Sequence, residues 1–365
     1  MRFSVAAGAA CALVVLIAVT MYFAPPPPEK VDKTKVPDEI PFVLAGSGVG
    51  ADENATEIVS LPVAGVTSTS IPAWNLSIPF EIESSATTVL PPAPATRFDI
   101  GEVDGKFEND GIVLGVVQNG EARAYATALF GDGDSCVLNE TLGGDPVAVS
   151  LCPSSGSAVA VVRKHNGIEL TFADRGVRWR GNAVWQDLET ESMWSQLLAR
   201  AVTGQLADSS LEVIPVAVTT WEKWRQAHPQ SSLVIANRPS GEVPTKNWLA
   251  SDIDYGVGIR VLDENIFYTL SDFTRAPLRR DEPKLTPVAI VYYPNTGIVY
   301  AYQRMRAIQD FEVTEQGQFV DRISATTWDL TTGIAIAGRE RGTQLEPVRY
   351  QWCSRTGWET FFQSP

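Results

Sequence analysis

The sequence is poor in the side chains that most often carry chemistry: 365 residues include two histidines, four cysteines and four methionines. No Cys-x-x-Cys pair occurs, so a zinc-type ligand set finds no support. A serine triad fares no better. The run Ser154-Ser155-Gly156-Ser157-Ala158 is not Gly-x-Ser-x-Gly, His165 lies in a Lys-His-Asn-Gly turn, and His228 directly precedes Pro229. Cations are scarce as well. Against 43 Asp and Glu there are 29 Lys and Arg, a formal net charge of -14, which excludes nucleic acid as a partner because phosphate binding needs a clustered positive surface.

Hydrophobic residues, at 44%, are plentiful enough for one large or two modest folded domains. The start of the chain is uncharged from Phe3 to Ala24, long enough for a helix to cross a bilayer. It reads as a transmembrane anchor or signal over residues 1–24, and the bulky Met21, Tyr22 and Phe23 favour an uncleaved single-pass anchor. The remainder is then expected to be extracytoplasmic at the cell membrane. Residues 25–97, opening on four prolines and rich in Pro, Ser and Thr, read as a stalk.

From about residue 98 the texture is that of strands. Asn119-Gly120 and Asn166-Gly167 each sit between apolar runs, the dipeptide best suited to a two-residue hairpin turn, and Pro294-Asn295-Thr296-Gly297 separates a third pair. Helices are expected over "TESMWSQLLARAVTG", with Met193, Leu197 and Ala201 at helical spacing, and over "TTWEKWRQAHP", where Thr219 and Glu222 have capping-box spacing. An internal echo divides the domain into about 98–235 and 236–365. "PVAVSLCPSSG" (146–156) matches "PVAIVYYPNTG" (287–297), and Asp187-Leu188-x-Thr190 matches Asp329-Leu330-x-Thr332. The expected fold is thus a β-rich α+β class: mainly antiparallel strands in two related units with a few short helices, after an N-terminal membrane helix.

Cys152 is the one residue of the 146–156 turn that backbone geometry does not explain, because Tyr293 replaces it in the echo. Two readings stand. Cys152 is either a small buried residue, alone or bridged to Cys136, or a redox thiol; in the second case Cys136, Cys152 and Met193 would also make a soft copper(I) site. Asp187, Glu189 and Glu191 favour a helix start, or else form a polar pocket with Asn182, Trp185, Trp194 and Gln196.

The segments "GEARAYA" (120–126), "NETLGGDPVAVSLCPSSGSAVAV" (139–161), "DLETESMWSQLLARAVTG" (187–204) and "LEVIPVAVTTWEKWRQAHP" (211–229), in this order, resemble the family catalogued as domain of unknown function 3179. Some members of that family are described as selenoproteins, which implies redox chemistry at a chalcogen. This chain departs from the family pattern at Asp134-Ser135-Cys136, where relatives show Trp-His-Glu, and at Cys152-Pro153-Ser154-Ser155, where they have Cys-Pro-x-Cys or Cys-Pro-x-Thr. The expected function is therefore a non-catalytic envelope binding or structural module with a protein or small-molecule partner. A thiol-redox or copper-handling protein centred on Cys152 and Cys136 is the alternative.

Overall fold

Asn119 and Gly120 both adopt positive φ, 48° and 82°, the conformation that lets two residues reverse a twisted strand pair. The strands they join, β4 and β5 below, are the first of a long antiparallel series. The computed structural model describes residues 58–63, 66–72 and 88–363, except 132–134, 238–253, 263, 274–275, 294–295, 304–308 and 315–317. The expected membrane helix and most of the stalk lie outside these residues. Within them no helix is long and apolar enough to cross a membrane.

Two strands form a hairpin in the stalk region, β1 (Ile58–Val63) and β2 (Val66–Pro72), and β3 (Ala95–Asp99) follows. The first long series comprises β4 (Ile112–Gln118), β5 (Glu121–Ala126), β6 (Val137–Leu142), β7 (Asp145–Cys152), β8 (Ser157–Val162), the short pair β9 (Lys164–His165) and β10 (Ile168–Glu169), then β11 (Phe172–Trp179), β12 (Asn182–Asp187), β13 (Met193–Ser195) and β14 (Arg200–Thr203). It ends with β15 (Glu212–Ile214), β16 (Val216–Thr220), the helix Trp221–Ala227 and β17 (Ser232–Ala236). The second runs β18 (Tyr255–Val261), β19 (Glu264–Thr269), β20 (Leu278–Asp281), β21 (Val288–Tyr293), β22 (Ile298–Gln303), β23 (Phe311–Val313), β24 (Phe319–Asp321), β25 (Thr326–Trp328), β26 (Ala335–Ala337), β27 (Glu346–Pro347), β28 (Tyr350–Ser354) and the helix Arg355–Gln363. Every described pairing is antiparallel except β17 with β5.

The pairing of the first series recurs in the second. β4 pairs with β5 with Gln118 opposite Glu121, and β18 pairs with β19 with Val261 opposite Glu264. β16 returns to β4, Val216 facing Val116, as β28 returns to β18, Tyr350 facing Ile259. Glu212 of β15 lies opposite Val162 of β8, and Glu346 of β27 opposite Gln303 of β22. Near its end each series carries a helix whose tryptophan lies on a strand glycine. A Cβ on Gly115 would fall 2.1 Å from the Trp224 ring, and one on Gly258 2.2 Å from Trp358. Only a glycine lets each indole come this close.

The two series also share sheets. β28 pairs with β8 through Trp352 and Ala158, and Val218 N donates to Gly297 O at 3.3 Å in the opposite sense. One core accordingly draws Leu114, Val149 and Ile214 from the first series and Val257, Ile290 and Trp352 from the second.

Three expectations change. The echo of 146–156 and 287–297 falls on the hairpins β7–β8 and β21–β22, with Gly156 and Gly297 at φ 66° and 71°. The second echo is out of register, because the counterpart of Asp187 is Asp321 rather than Asp329. Asp187 Oδ1 accepts from Thr190 N at 2.5 Å, and Asp321 Oδ2 accepts from Ser324 N at 3.2 Å; the buried Trp194 and Trp328 follow on β13 and β25. Asp329 makes a similar turn with Thr332, N to Oδ1 at 2.8 Å, so the identity of residues pointed to the wrong one of two like turns.

The helix expected over 190–204 is absent; β13 and β14 occupy the segment, with Ala199 at φ 51° between them. Trp194, Leu197, Leu198, Ala199 and Ala201 are all buried, so apolar residues occur at every spacing and the helical period carried no information. The second helix does form, but its cap is Thr220, whose hydroxyl accepts from Lys223 N at 3.4 Å, while Thr219 is buried in β16.

Candidate functional site

β6 and β7 place the two cysteines beside each other: Leu151 N donates to Cys136 O at 3.1 Å, one residue before Cys152. No bridge joins them; Cys136, Cys152 and Cys353 are free. Cys136 is 1% exposed and Cys152 fully buried. Burial, and then the charge of Asp174, pushes the Cys136 thiol well above its ordinary range, against the thiolate that nucleophilic or redox chemistry needs. Cys152 Sγ lies 3.2 Å from Ser154 Oγ. In the native protein all three thiols are expected to resist iodoacetamide at pH 8 and to react only as the chain unfolds. Labelling of Cys152 within minutes, located by mass spectrometry, would contradict this burial.

The polar residues singled out from the sequence form two internal braces. Asn182 on β12 and Gln196 after β13 are buried, and Asn182 Nδ2 donates to Ser155 Oγ (3.0 Å), Ser157 Oγ (2.8 Å) and Gln196 Oε1 (3.0 Å). Asn182 Oδ1 accepts from Leu197 N at 3.1 Å, and Gln196 Nε2 donates to Ser157 O at 2.8 Å. Asp187 makes the second brace, accepting from Thr190 N and, at 2.8 Å, from Trp194 Nε1. Glu191 belongs to neither. It is exposed at φ 57°, with its carbonyl accepting from Gln186 Nε2 at 3.2 Å. A donor or acceptor already engaged inside a packed core is unavailable to a substrate, so these residues hold β12 and β13 against the β7–β8 turn.

The open space lies elsewhere, where the two series meet. A cavity of about 300 Å³ is lined by Val159 of β8, Val213 and Ile214 of β15, Val216 and Ala217 of β16, Val299 to Tyr302 of β22, and Pro347 to Trp352 of β27 and β28. Trp224 and His228 add an aromatic side, their rings tilted by 37° with centroids 4.0 Å apart. Burial lowers the His228 pKa, which keeps its imidazole neutral at pH 7. The volume is at the lower end of small-molecule pockets and matches about ten liquid waters. Three tyrosines, Thr331, Thr332 and Arg349 supply polar groups to walls that are otherwise largely apolar. Arg349 is 4% exposed, donates Nη2 to Leu197 O at 3.3 Å, and has its pKa pushed down to about 9 by burial. No local signal in the sequence marks this cavity, because its walls come from segments that only strand pairing brings together.

Glu212, at the start of β15, carries a related cost. Burial, reinforced by the charge of Asp145, raises its carboxyl to about 7. Between the ordinary carboxylate range and pH 7 the unfolded chain ionises while the folded one does not. Stability therefore falls as pH rises through that window, and the loss is complete above it. Glu212→Gln is expected to stabilise the protein at pH 8 by about 1–2 kcal/mol, less than the full linkage because solvent screens a half-buried group. The gain should vanish near pH 4, read from urea midpoints at the two pH values.

No curated protein and no solved structure matches the chain. Residues 90–256 match a family model; they span the first series of pairings and end as the second begins. That model is of the family described as "Protein of unknown function (DUF3179)", the family that the motifs of this stretch resemble.

Proposed function

We propose that the protein is a non-catalytic binding module that takes a small, largely apolar molecule into the cavity between its two strand series. The recurrence of pairing is read as a duplicated unit, with the ligand held where the copies interlock. The single observation that carries the reading is the contrast between the two places described above. The Asn182–Gln196 and Asp187–Trp194 braces spend their polar groups on each other, while the cavity is open, apolar-walled and of ligand size. Placement at the cell membrane, with the domain extracytoplasmic, rests on the uncharged stretch from Phe3 to Ala24. The burial of Cys136 and Cys152 gives the thiol-redox and copper(I) alternative nothing to favour it.

The test is a fluorescence titration with the neutral apolar dye N-phenyl-1-naphthylamine. Wild type is expected to give saturable binding at one site. Val348→Trp, which fills the cavity from its wall, should abolish it while leaving the circular dichroism spectrum and melting transition intact; if that variant does not fold, Val213→Trp fills it from the opposite series. Absence of saturable binding, or binding untouched by a folded cavity-filling variant, would overturn the reading.

A further inference from the structure

One edge of the first series' interior is lined by oxygen rather than carbon. Gln118 lies two residues beyond Val116 on β4, Asp145 two before Val147 on β7, and Glu212 two before Ile214 on β15. Alternate residues of a strand share a face, and Leu114, Val116, Val147, Val149 and Ile214 all belong to the central core. The three polar side chains therefore point toward that core from the ends of their strands. Glu212 faces Val162 of β8, and Val162 faces Val147 of β7. The turn between β6 and β7 closes on β4, where a Cβ on Gly143 would fall 2.1 Å from Gln118 O. None of the three lines the cavity.

Two of the three carry a buried acceptor that nothing satisfies. Gln118 is 1% exposed, and its Nε2 donates to Asp145 Oδ2 at 2.6 Å. Only the amide nitrogen can donate to a carboxylate, so this contact fixes which end of the side chain is nitrogen. Its Oε1 is buried without a hydrogen-bond partner among the described residues, and so is Glu212 Oε1. Burial, and then the charge of Asp145, raises the Glu212 carboxyl to about 7, and no cationic side chain among the described residues offsets that rise. The guanidiniums on the adjoining strands are committed, Arg123 to Glu121 and Glu140 and Arg163 to Glu169. A buried carboxylate beside a second one and two orphaned acceptors calls for a positive charge that the side chains do not supply.

We propose that Gln118 Oε1 and the carboxylates of Asp145 and Glu212 form a calcium site. Oxygen donors alone, with no nitrogen or sulfur, suit a hard cation rather than zinc or copper. No cluster of three His, Cys, Asp or Glu occurs among the described residues, so the amide oxygen is what makes a third side-chain ligand here. The two carboxylates balance the two charges of the ion. Calcium takes about 6–8 oxygens, and water completes the shell from the side on which Glu212 is half-buried. Magnesium demands near-octahedral geometry and gives up its water reluctantly, so it binds more weakly. The site belongs to the first series alone and stands or falls independently of the cavity reading.

Titration of the full chain, stripped with EDTA, with calcium chloride at pH 8 and constant ionic strength tests it by calorimetry and by melting temperature. One saturable calcium is expected, and at about one hundred times its dissociation constant the melting temperature should rise by several degrees. Magnesium chloride should bind at least tenfold more weakly. Glu212→Gln and Asp145→Asn should each weaken calcium at least tenfold, whereas Glu191→Ala, at an exposed position outside the site, should leave it unchanged. Asp145→Asn keeps the test open should Glu212→Gln fail to fold. Glu212→Gln also separates a cation site from a carboxylate that is merely unpaired: without calcium the variant should be the more stable protein, and with calcium the order should reverse. Absence of saturable calcium binding by wild type, an order of stability that calcium does not change, or binding that survives undiminished in a folded Glu212→Gln or Asp145→Asn protein would overturn the proposal.

Discussion

Gly258→Val is expected to destabilise the protein by about 3 kcal/mol, among the largest effects of any single methyl-bearing substitution in the strands. A Cβ at this position would lie 2.2 Å from the Trp358 ring, backed by two more ring atoms within 2.5 Å. Trp358 is 1% exposed and packs on Phe362 with ring centroids 4.2 Å apart, so the indole cannot swing aside without opening the helix Arg355–Gln363. Overpacking of this kind costs about 1–3 kcal/mol where the neighbour can yield and more where it cannot. Trp358→Ala alone should cost about 3–5 kcal/mol through the void it leaves. In the Gly258→Val background that second cost should shrink by at least about 1 kcal/mol, because the valine occupies part of the void. Additive losses in urea unfolding would show that strand and helix do not meet as described. A Cβ on Gly115 would fall 2.1 Å from the Trp224 ring in the first series, and Gly115→Val should give a parallel result.

Asn182→Ala should cost about 3 kcal/mol while leaving dye binding in the cavity unchanged. The substitution removes the acceptor for Leu197 N and the donor shared by Ser155, Ser157 and Gln196, all within a buried network. Each buried group left unsatisfied costs about 1–3 kcal/mol, partly recovered as the serine hydroxyls rotate toward each other. Glu191→Ala, at an exposed position only a few residues from Asp187, should change stability by less than about 0.5 kcal/mol. A binding defect in a folded Asn182→Ala protein, with stability unchanged, would return the 182–196 region to consideration as a ligand site.

Local chemistry made much of the fold legible. Asn-Gly at 119–120 and 166–167 specifies a positive-φ pair whatever surrounds it, so these hairpins could be read from two residues each. The 146–156 and 287–297 echo was readable because Pro, a hydroxyl residue and Gly mark the turn on both strands' behalf. Two features escaped for different reasons. Over 190–204, burial on every side erased the difference between helical and strand periodicity, and Thr190, a good capping residue, spends its hydroxyl on Asp187 instead. Asn182, Asp187, Glu191, Trp194 and Gln196 read from the sequence as a polar pocket, yet sequence proximity does not distinguish a pocket from a sealed brace; that depends on whether partners saturate each other. The cavity was invisible for a topological reason. Val159, Ile214, Tyr300 and Arg349 become neighbours only because β28 adds to β8 and β16 approaches β22.

The most direct test of the central claim, that the space between the two strand series is the binding site, is the melting temperature of wild type and of Val348→Trp with and without N-phenyl-1-naphthylamine at about one hundred times its dissociation constant. A ligand that binds only the folded state at that excess stabilises it by about 2.7 kcal/mol, on the order of 5 °C for a domain of this size. The account predicts that rise for wild type and none for the filled variant. An equal rise in both proteins, or none in either, would contradict it.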